Sequence, residues 1–438
     1  MSTENQYLLA DRKTKLFPLT ATLVMTELNT GTLIAFSSAG FDARWWALTL
    51  PSVFLIGLLF YAVTVAKKWK EFNGISVAHY FSARYGHDVG ILVAIILFVS
   101  MAGFSAAYIK SFTLIFSAVF PQMNPWQLSG LLTTAILFMT WRGGLIAIIR
   151  TDIISFLIVV IFFPLLLFFV YRLPSPTADH QISFLQMQQA LPTKLIISLI
   201  LLTMFSYILA PWYGQKVISA ESPRVAIQAI VLAAVLVFIF YGIGVLAVSV
   251  LGEKGVILTN SEQALPYIIK QVMPVGWQGI GYFVLFLIAV TTLSGVWSAM
   301  VTLLIGKIPQ SHVTRLNRGL TFTVFCAFLS YTLSNLFIDH ILNKIILANV
   351  PVVALSFALL GGFYWPSANR VGVYVSIIVG LIWGFGCYLK YGDVGLYTWY
   401  WALYGIPLIF FSGLMGSLCQ RLFVFHNDSP NQLSSSTQ

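Results

Sequence analysis

Charge is what this sequence has least of. Only 9% of its 438 residues are Asp, Glu, Lys or Arg, where a soluble globular chain carries about 25%. Hydrophobic residues make up 58%, and mean hydropathy is +0.88. Such a chain cannot cover a water-facing surface with its own polar groups, which excludes a soluble enzyme, a secreted domain and a disordered protein. Cysteine is scarce as well. Cys326, Cys387 and Cys419 are an odd number and lie inside apolar runs, so neither a disulfide framework nor a metal-ligand spacing follows from them. HExxH, GxxxxGK[ST], GxSxG and GxGxxG do not occur in a usable context, and no acid/base pair or metal cluster stands out. The chain is therefore not expected to be an enzyme or to hold a cofactor.

Long apolar runs are what it has in abundance. Residues 156–170 (FLIVVIFFPLLLFFV) are apolar on every face, unlike the alternating strands of a membrane β-barrel. At roughly 20 residues per crossing, the apolar content suffices for about a dozen helices. Twelve spans are read at 17–41, 45–66, 88–119, 126–141, 145–171, 193–216, 223–250, 277–306, 315–338, 342–363, 370–390 and 397–420. Residues 68–85 and 261–273 are amphipathic and read as helices lying in the membrane interface. The division expected is a cytoplasmic N-terminal segment 1–16, a transmembrane domain 17–422, and a Ser-, Asn- and Gln-rich tail 423–438 without fixed structure. Residues 1–16 are polar, and the run that follows is too long for the core of a signal peptide.

The net charge of +10 does not point to nucleic acid, because the basic residues sit in short loops between apolar runs. Placing the N-terminus in the cytoplasm puts sixteen Lys and Arg, Lys216 among them, in inner segments and seven in outer ones, with Lys110 inside span 3. That asymmetry sets both termini inside a cytoplasmic membrane. The partners expected are membrane lipid and a small solute; oligomeric state is not specified.

The informative residues are those that lipid should reject. Glu27 lies near the middle of span 1, Asp152 one to two turns into span 5 beside Arg150, and Lys110 late in span 3. A charge there costs about 3 kcal/mol or more unless paired or wet. Either carboxylate suits a cation or proton site, or a structural hydrogen bond; Lys110 suits a side chain that snorkels to the interface. The centre of span 1, Thr26-Glu27-Leu28-Asn29-Thr30-Gly31-Thr32, is polar and contains glycine, as expected of a helix that unwinds and offers carbonyls to an ion. Span 6 has its own break at Tyr207–Gly214, where Pro211 removes a backbone donor. Breaks in spans 1 and 6, five spans apart, are the pattern of two five-helix inverted repeats around a midplane site. Thr291 and Thr292 in span 8 offer adjacent hydroxyl oxygens, unless each bonds back into its own helix.

Taken together, several segments resemble the sodium/solute symporter family of proline, sugar, pantothenate and iodide carriers. They are Tyr7–Arg12 (YLLADR), Ser76–Gly86 (SVAHYFSARYG), Gly143-Gly144-Leu145 followed by Thr151-Asp152, Gln215 with Ser219-Ala220-Glu221, and Ala289–Leu293 (AVTTL). The resemblance runs from about residue 7 to residue 306. It implies an all-α polytopic membrane protein with the inverted-repeat fold known from bacterial leucine transport, and cation-coupled symport of a small polar solute. It also implies a Na⁺ site made by the carbonyls of Met25, Leu28 and Ile288 and the hydroxyls of Thr291 and Thr292. Glu27 and Asp152 fall on the family's two functional acidic positions, so both are candidate coupling acids. Asn29, Thr30, Gly31, Thr32, Tyr207, Trp212 and Tyr213 become candidate substrate or gate residues, with the solute held between spans 1, 3, 6 and 8.

There are departures. The extra helix that most members carry before the lead-in is missing. Gly31-Thr32 replaces the Glu-Gln pair of sugar carriers, which argues against sugar. Thr-Thr replaces the usual Ser-Thr or Ser-Ser. Proton coupling through Glu27, or a transporter-like membrane sensor working with a separate signalling partner, are the alternatives; a channel would need a continuous pore in place of two breaks at one site. The topology is open to a direct check. Reporters fused at residue 2 and at Gln438 should both report the cytoplasm, whereas ends on opposite sides would remove one span from the count.

Overall fold

The computed structural model describes residues 12–74, 76–140, 144–174, 182–305 and 312–427. These residues are helical, and the only β pairing among them is a single bridge between Thr14 and Ala220. Helices occur at all twelve expected positions. Among the described residues, eight helices are individually long and apolar enough to cross a membrane, or up to ten if each bent pair counts as one. This is a multi-pass membrane protein.

The gap between twelve and eight has physical causes. Span 2 (Pro51–Thr64, 14 residues) and span 4 (Pro125–Thr140, 16 residues) are shorter than a full crossing. Spans 1 and 6 are broken. The two amphipathic stretches are also divided: 68–85 forms the short helices Ala66–Glu71 and Val77–Tyr85, and 261–273 forms three successive short turns.

Span 1 consists of Leu16–Glu27 and Thr30–Ala43. Leu28 and Asn29 between them are extended, with φ/ψ of −67°/95° and −119°/153°. Asn29 is why the helix restarts there: its side-chain oxygen accepts from the Thr32 N–H at 2.7 Å, an N-cap that satisfies an otherwise orphaned donor. Span 6 consists of Thr193–Tyr207 and Pro211–Ile218. Pro211 is the first residue of the second half, the one helical position where its missing N–H costs nothing.

Each break exposes carbonyls that a helix would have used, and inside a bilayer they must find donors within the protein. The Tyr241 hydroxyl of span 7 donates to the Glu27 carbonyl at 2.7 Å. The Trp69 indole N–H, on the short helix after span 2, donates to the Ile208 carbonyl at 3.0 Å. The break in the first five spans is thus closed by the second five, and the reverse.

The chain before span 1 straps onto the end of span 6. The Thr14 N–H donates to the Ser219 carbonyl, and the Glu221 N–H to the Thr14 carbonyl, both at 3.0 Å. Arg12 donates to the carbonyls of Phe72 and Gly74. The helix of span 12 runs on to Asn427, five residues past the expected domain end. Residues 1–11 and 428–438, with most of the YLLADR lead-in and of the expected tail, lie outside the described residues, as does Gly143.

Candidate functional site

The first half of span 1 ends at Glu27, so the carbonyls of its last turn lose their intrahelical partners. Two of them, Met25 and Leu28, face span 8 (Val275–Ile305). The Thr292 hydroxyl lies 3.0 Å from the Leu28 carbonyl and 3.5 Å from that of Met25. One hydroxyl carries one proton, so it cannot satisfy two carbonyl oxygens at once. One turn of span 8 also brings the Thr291 hydroxyl to 3.0 Å from the Ile288 carbonyl. All five residues are buried. The cluster sits at a helix C-terminus, the negative end of its dipole. Neutral oxygens short of protons at such an end are the donor set a small hard cation takes. Thr291 shows that the helix-internal bond foreseen for these hydroxyls is made, while Thr292 instead reaches across to span 1.

On another side of span 1 lies a cavity of about 70 Å³, well below the roughly 300 Å³ of an ordinary small-molecule pocket. Of the expected substrate residues, Asn29, Thr32, Tyr207 and Trp212 line it, together with Glu27. The Tyr207 hydroxyl donates to Glu27 Oε1, and the carboxylate is 3% exposed.

Thr30, Gly31 and Tyr213 do not line the cavity. The Thr30 hydroxyl donates to the Tyr108 carbonyl at 3.1 Å and accepts from Ser111 at 2.8 Å, so it clamps span 1 to span 3 (His87–Ser117). Gly31 has no space for a side chain: a Cβ would come within 2.9 Å of Tyr108 and Ile345. Tyr213 stacks on Tyr207 at 5.8 Å and reaches the Leu23 carbonyl at 3.4 Å.

The enclosure expected from spans 1, 3, 6 and 8 is corrected. Spans 2 and 10 close the cavity, through Val53 and Phe54 and through Leu342, Ile345, Ile346 and Asn349. No residue of span 8 lines it; span 8 meets span 1 at the Met25 and Leu28 carbonyls instead.

Asp152 is the second acidic candidate, and its partner is not the one expected. Arg150 is exposed. Lys216, counted from the sequence among loop charges, is 2% exposed on the helix Pro211–Ile218. Its ammonium lies 3.0 Å from Asp152 Oδ2 and donates to the Thr22 carbonyl at 3.1 Å and to the Thr26 hydroxyl. The Thr22 hydroxyl donates to the same Asp152 oxygen. Thr22 and Thr26 are four apart, hence on one face of the helix. Helix resumption after a proline at N1, which turns Lys216 inward, was the signal available in the sequence. Lys110 is half-buried, and its charge acts on Glu262 of the turn at 261–263.

No protein-family model and no curated protein matches the chain. Solved structures do. A substrate-bound outward-open state of a Na⁺-coupled sialic acid symporter matches with a TM-score of 0.74 at 18% identity, over 95% of this chain and 92% of that one. Mhp1, a nucleobase-cation-symport-1 family transporter, in a closed conformation with bromovinylhydantoin bound, matches with a TM-score of 0.61 at 12% identity, over 96% and 94%. The chain has their fold, two inverted repeats of five helices with peripheral ones added.

The buried pair yields a stability prediction. Asp152→Asn strands the Lys216 ammonium without a counter-charge and should cost about 3–5 kcal/mol, read as a lower melting temperature in detergent. Asp152→Asn combined with Lys216→Met should regain most of that loss. Strictly additive losses would mean the two side chains do not depend on each other.

Proposed function

We propose that this protein is a secondary active transporter of the cytoplasmic membrane that carries a small polar solute inward with Na⁺. The observation that carries the reading is the broken end of span 1, where the Met25 and Leu28 carbonyls share a single hydroxyl proton from Thr292. A cation placed there satisfies both carbonyls and the hydroxyl lone pairs together, with the Ile288 carbonyl and the Thr291 hydroxyl beside them. The oxygen set contains no thiolate or imidazole, which suits Na⁺ and not a transition metal. The solute takes the cavity on the other side of the same break, so one short extended segment, Leu28-Asn29, answers to both. Both termini are assigned to the cytoplasm on the distribution of basic residues.

Coupling follows from that shared segment. The Glu27 carbonyl holds Tyr241, and its side chain holds Tyr207 of span 6. Fixing the Met25 and Leu28 carbonyls therefore fixes the wall of the solute cavity. The side chains of span 10, Leu342 and Ile345 among them, cover the cavity on the half of the chain assigned to the outside. Lys216, Asp152 and the Thr14 strap hold spans 1, 5 and 6 together on the inside. Alternating access is assigned to the release of one set of contacts while the other stays made. One charge moved across 100 mV supplies about 2.3 kcal/mol, equivalent to roughly a fiftyfold concentration ratio.

The test is uptake of labelled amino acids, carboxylates, amines and vitamins by proteoliposomes, with Na⁺ and pH gradients imposed separately. Na⁺-driven accumulation is expected; accumulation driven by a pH gradient without Na⁺ would contradict the assignment. Thr291→Ala and Thr292→Ala together should raise the Na⁺ concentration for half-maximal uptake by about tenfold or more, with the two effects not additive because they serve one ion. An unchanged Na⁺ dependence in the double variant would mean that these hydroxyls only hold helices together.

A further inference from the structure

The chemistry of the cavity walls narrows the solute; the argument rests on the transport reading above. Glu27 is the one acidic side chain among the residues lining the cavity, and none of them is Lys, Arg or His. The buried ammonium of Lys216 is already committed to Asp152. The Glu27 side chain is held by the neutral hydroxyl of Tyr207. The cavity thus presents one carboxylate and no compensating cation of its own.

The remaining walls are aromatic. Phe54 of span 2 stacks on Tyr207 of span 6 at 5.9 Å. Phe104 of span 3 meets Trp212 edge to face at 5.5 Å, with Tyr108 one turn further along the same helix. Rings around an ammonium group attract it through their quadrupoles, most strongly where water is excluded.

Of the uncharged polar groups that line the cavity, several are already spent. Asn29 gives its amide to the Glu27 carbonyl and its oxygen to the Thr32 N–H. Asn349 gives its amide to the Ile345 carbonyl. A polyhydroxylated solute would find the Asn29 amide and oxygen and the Asn349 amide already engaged, and a carboxylate solute would meet Glu27. We propose that the solute is a small organic cation, an ammonium group with short substituents, whose charge is met by Glu27 and whose substituents pack among Phe54, Phe104, Tyr108, Tyr207 and Trp212.

The test is equilibrium binding to the full-length protein in nanodiscs at saturating Na⁺. Choline and ethanolamine are compared with their neutral isosteres, 3,3-dimethylbutan-1-ol and propan-1-ol, and with the anion 3,3-dimethylbutanoate. At least one charged probe is expected to bind about tenfold or more tightly than its neutral isostere. That preference should fall to near unity in Glu27→Gln. Trp212→Leu, which leaves the carboxylate in place, should weaken binding of the cation severalfold and of the neutral isostere less, so the outcome does not hang on Glu27→Gln folding. Equal binding of charged and neutral probes, or tighter binding of the anion, overturns the inference. Uptake by the same preparation separates the two levels. Na⁺-driven flux of a neutral or anionic solute, with no preference for the cations, overturns the solute class and leaves symport standing. A clear cation preference with no Na⁺-driven flux of any solute upholds the class of ligand and overturns symport.

Discussion

Everything in this structure turns on backbone carbonyls that lose their helix inside a membrane. A carbonyl left without a donor in hydrocarbon costs several kcal/mol, so a helix is not interrupted at that depth unless the protein supplies partners. At span 6 donors are supplied from within: Trp69 reaches the Ile208 carbonyl, and the turn itself bonds the Leu209 N–H to the Ser206 carbonyl and the Ala210 N–H to the Tyr207 carbonyl. At span 1 it is incomplete. Glu27 receives Tyr241 and the Asn29 amide, while Met25 and Leu28 compete for the Thr292 proton. The proposed cation site rests on this shortage of donors at the end of span 1.

The polar side chains around span 1 divide along its faces. Thr22 and Thr26 point to the Asp152–Lys216 pair, Glu27 to the tyrosines and the cavity, Thr30 to span 3. Lys216 fills a cluster of oxygens from spans 1 and 5 much as a free cation would, but it is tethered. Its worth lies less in net stability, since a buried pair regains little more than its desolvation cost, than in specifying how spans 1, 5 and 6 meet. The cavity lining (Thr26, Glu27, Asn29) and the carbonyls facing Thr292 (Met25, Leu28) alternate along one short stretch of span 1, and the proposed coupling rests on that piece of backbone.

Much of this was legible in the sequence, and the exceptions have physical reasons. The breaks were readable because polar residues with glycine, or a proline, are conspicuous inside an apolar run. Thr291 and Thr292 were readable as paired hydroxyls. Lys216 counts from the sequence with the inner charges because span 6 is read as ending there, whereas the helix Pro211–Ile218 runs past it and keeps the side chain buried. Asp152 accordingly received the wrong partner, the adjacent Arg150. Thr30 and Gly31 belong to the right segment but point at Tyr108 and Ile345, since a helix that restarts at Asn29 turns successive residues about 100° apart. The walls contributed by Phe54, Phe104 and span 10 left no trace in the sequence. An apolar side chain facing a solute is the same residue type as one facing lipid, and only tertiary packing tells them apart.

The most direct measurement of the central claim is equilibrium binding of radioactive Na⁺ to the purified protein in the absence of any solute. Saturable binding, displaced by unlabelled Na⁺ and far less by K⁺, is expected of the carbonyl and hydroxyl cluster at the end of span 1. It should be lost in Thr292→Val, which keeps the shape and removes the oxygen, with the melting temperature in Na⁺-free buffer largely kept. No saturable Na⁺ binding in the wild type, or binding in Thr292→Val equal to it, would contradict the account.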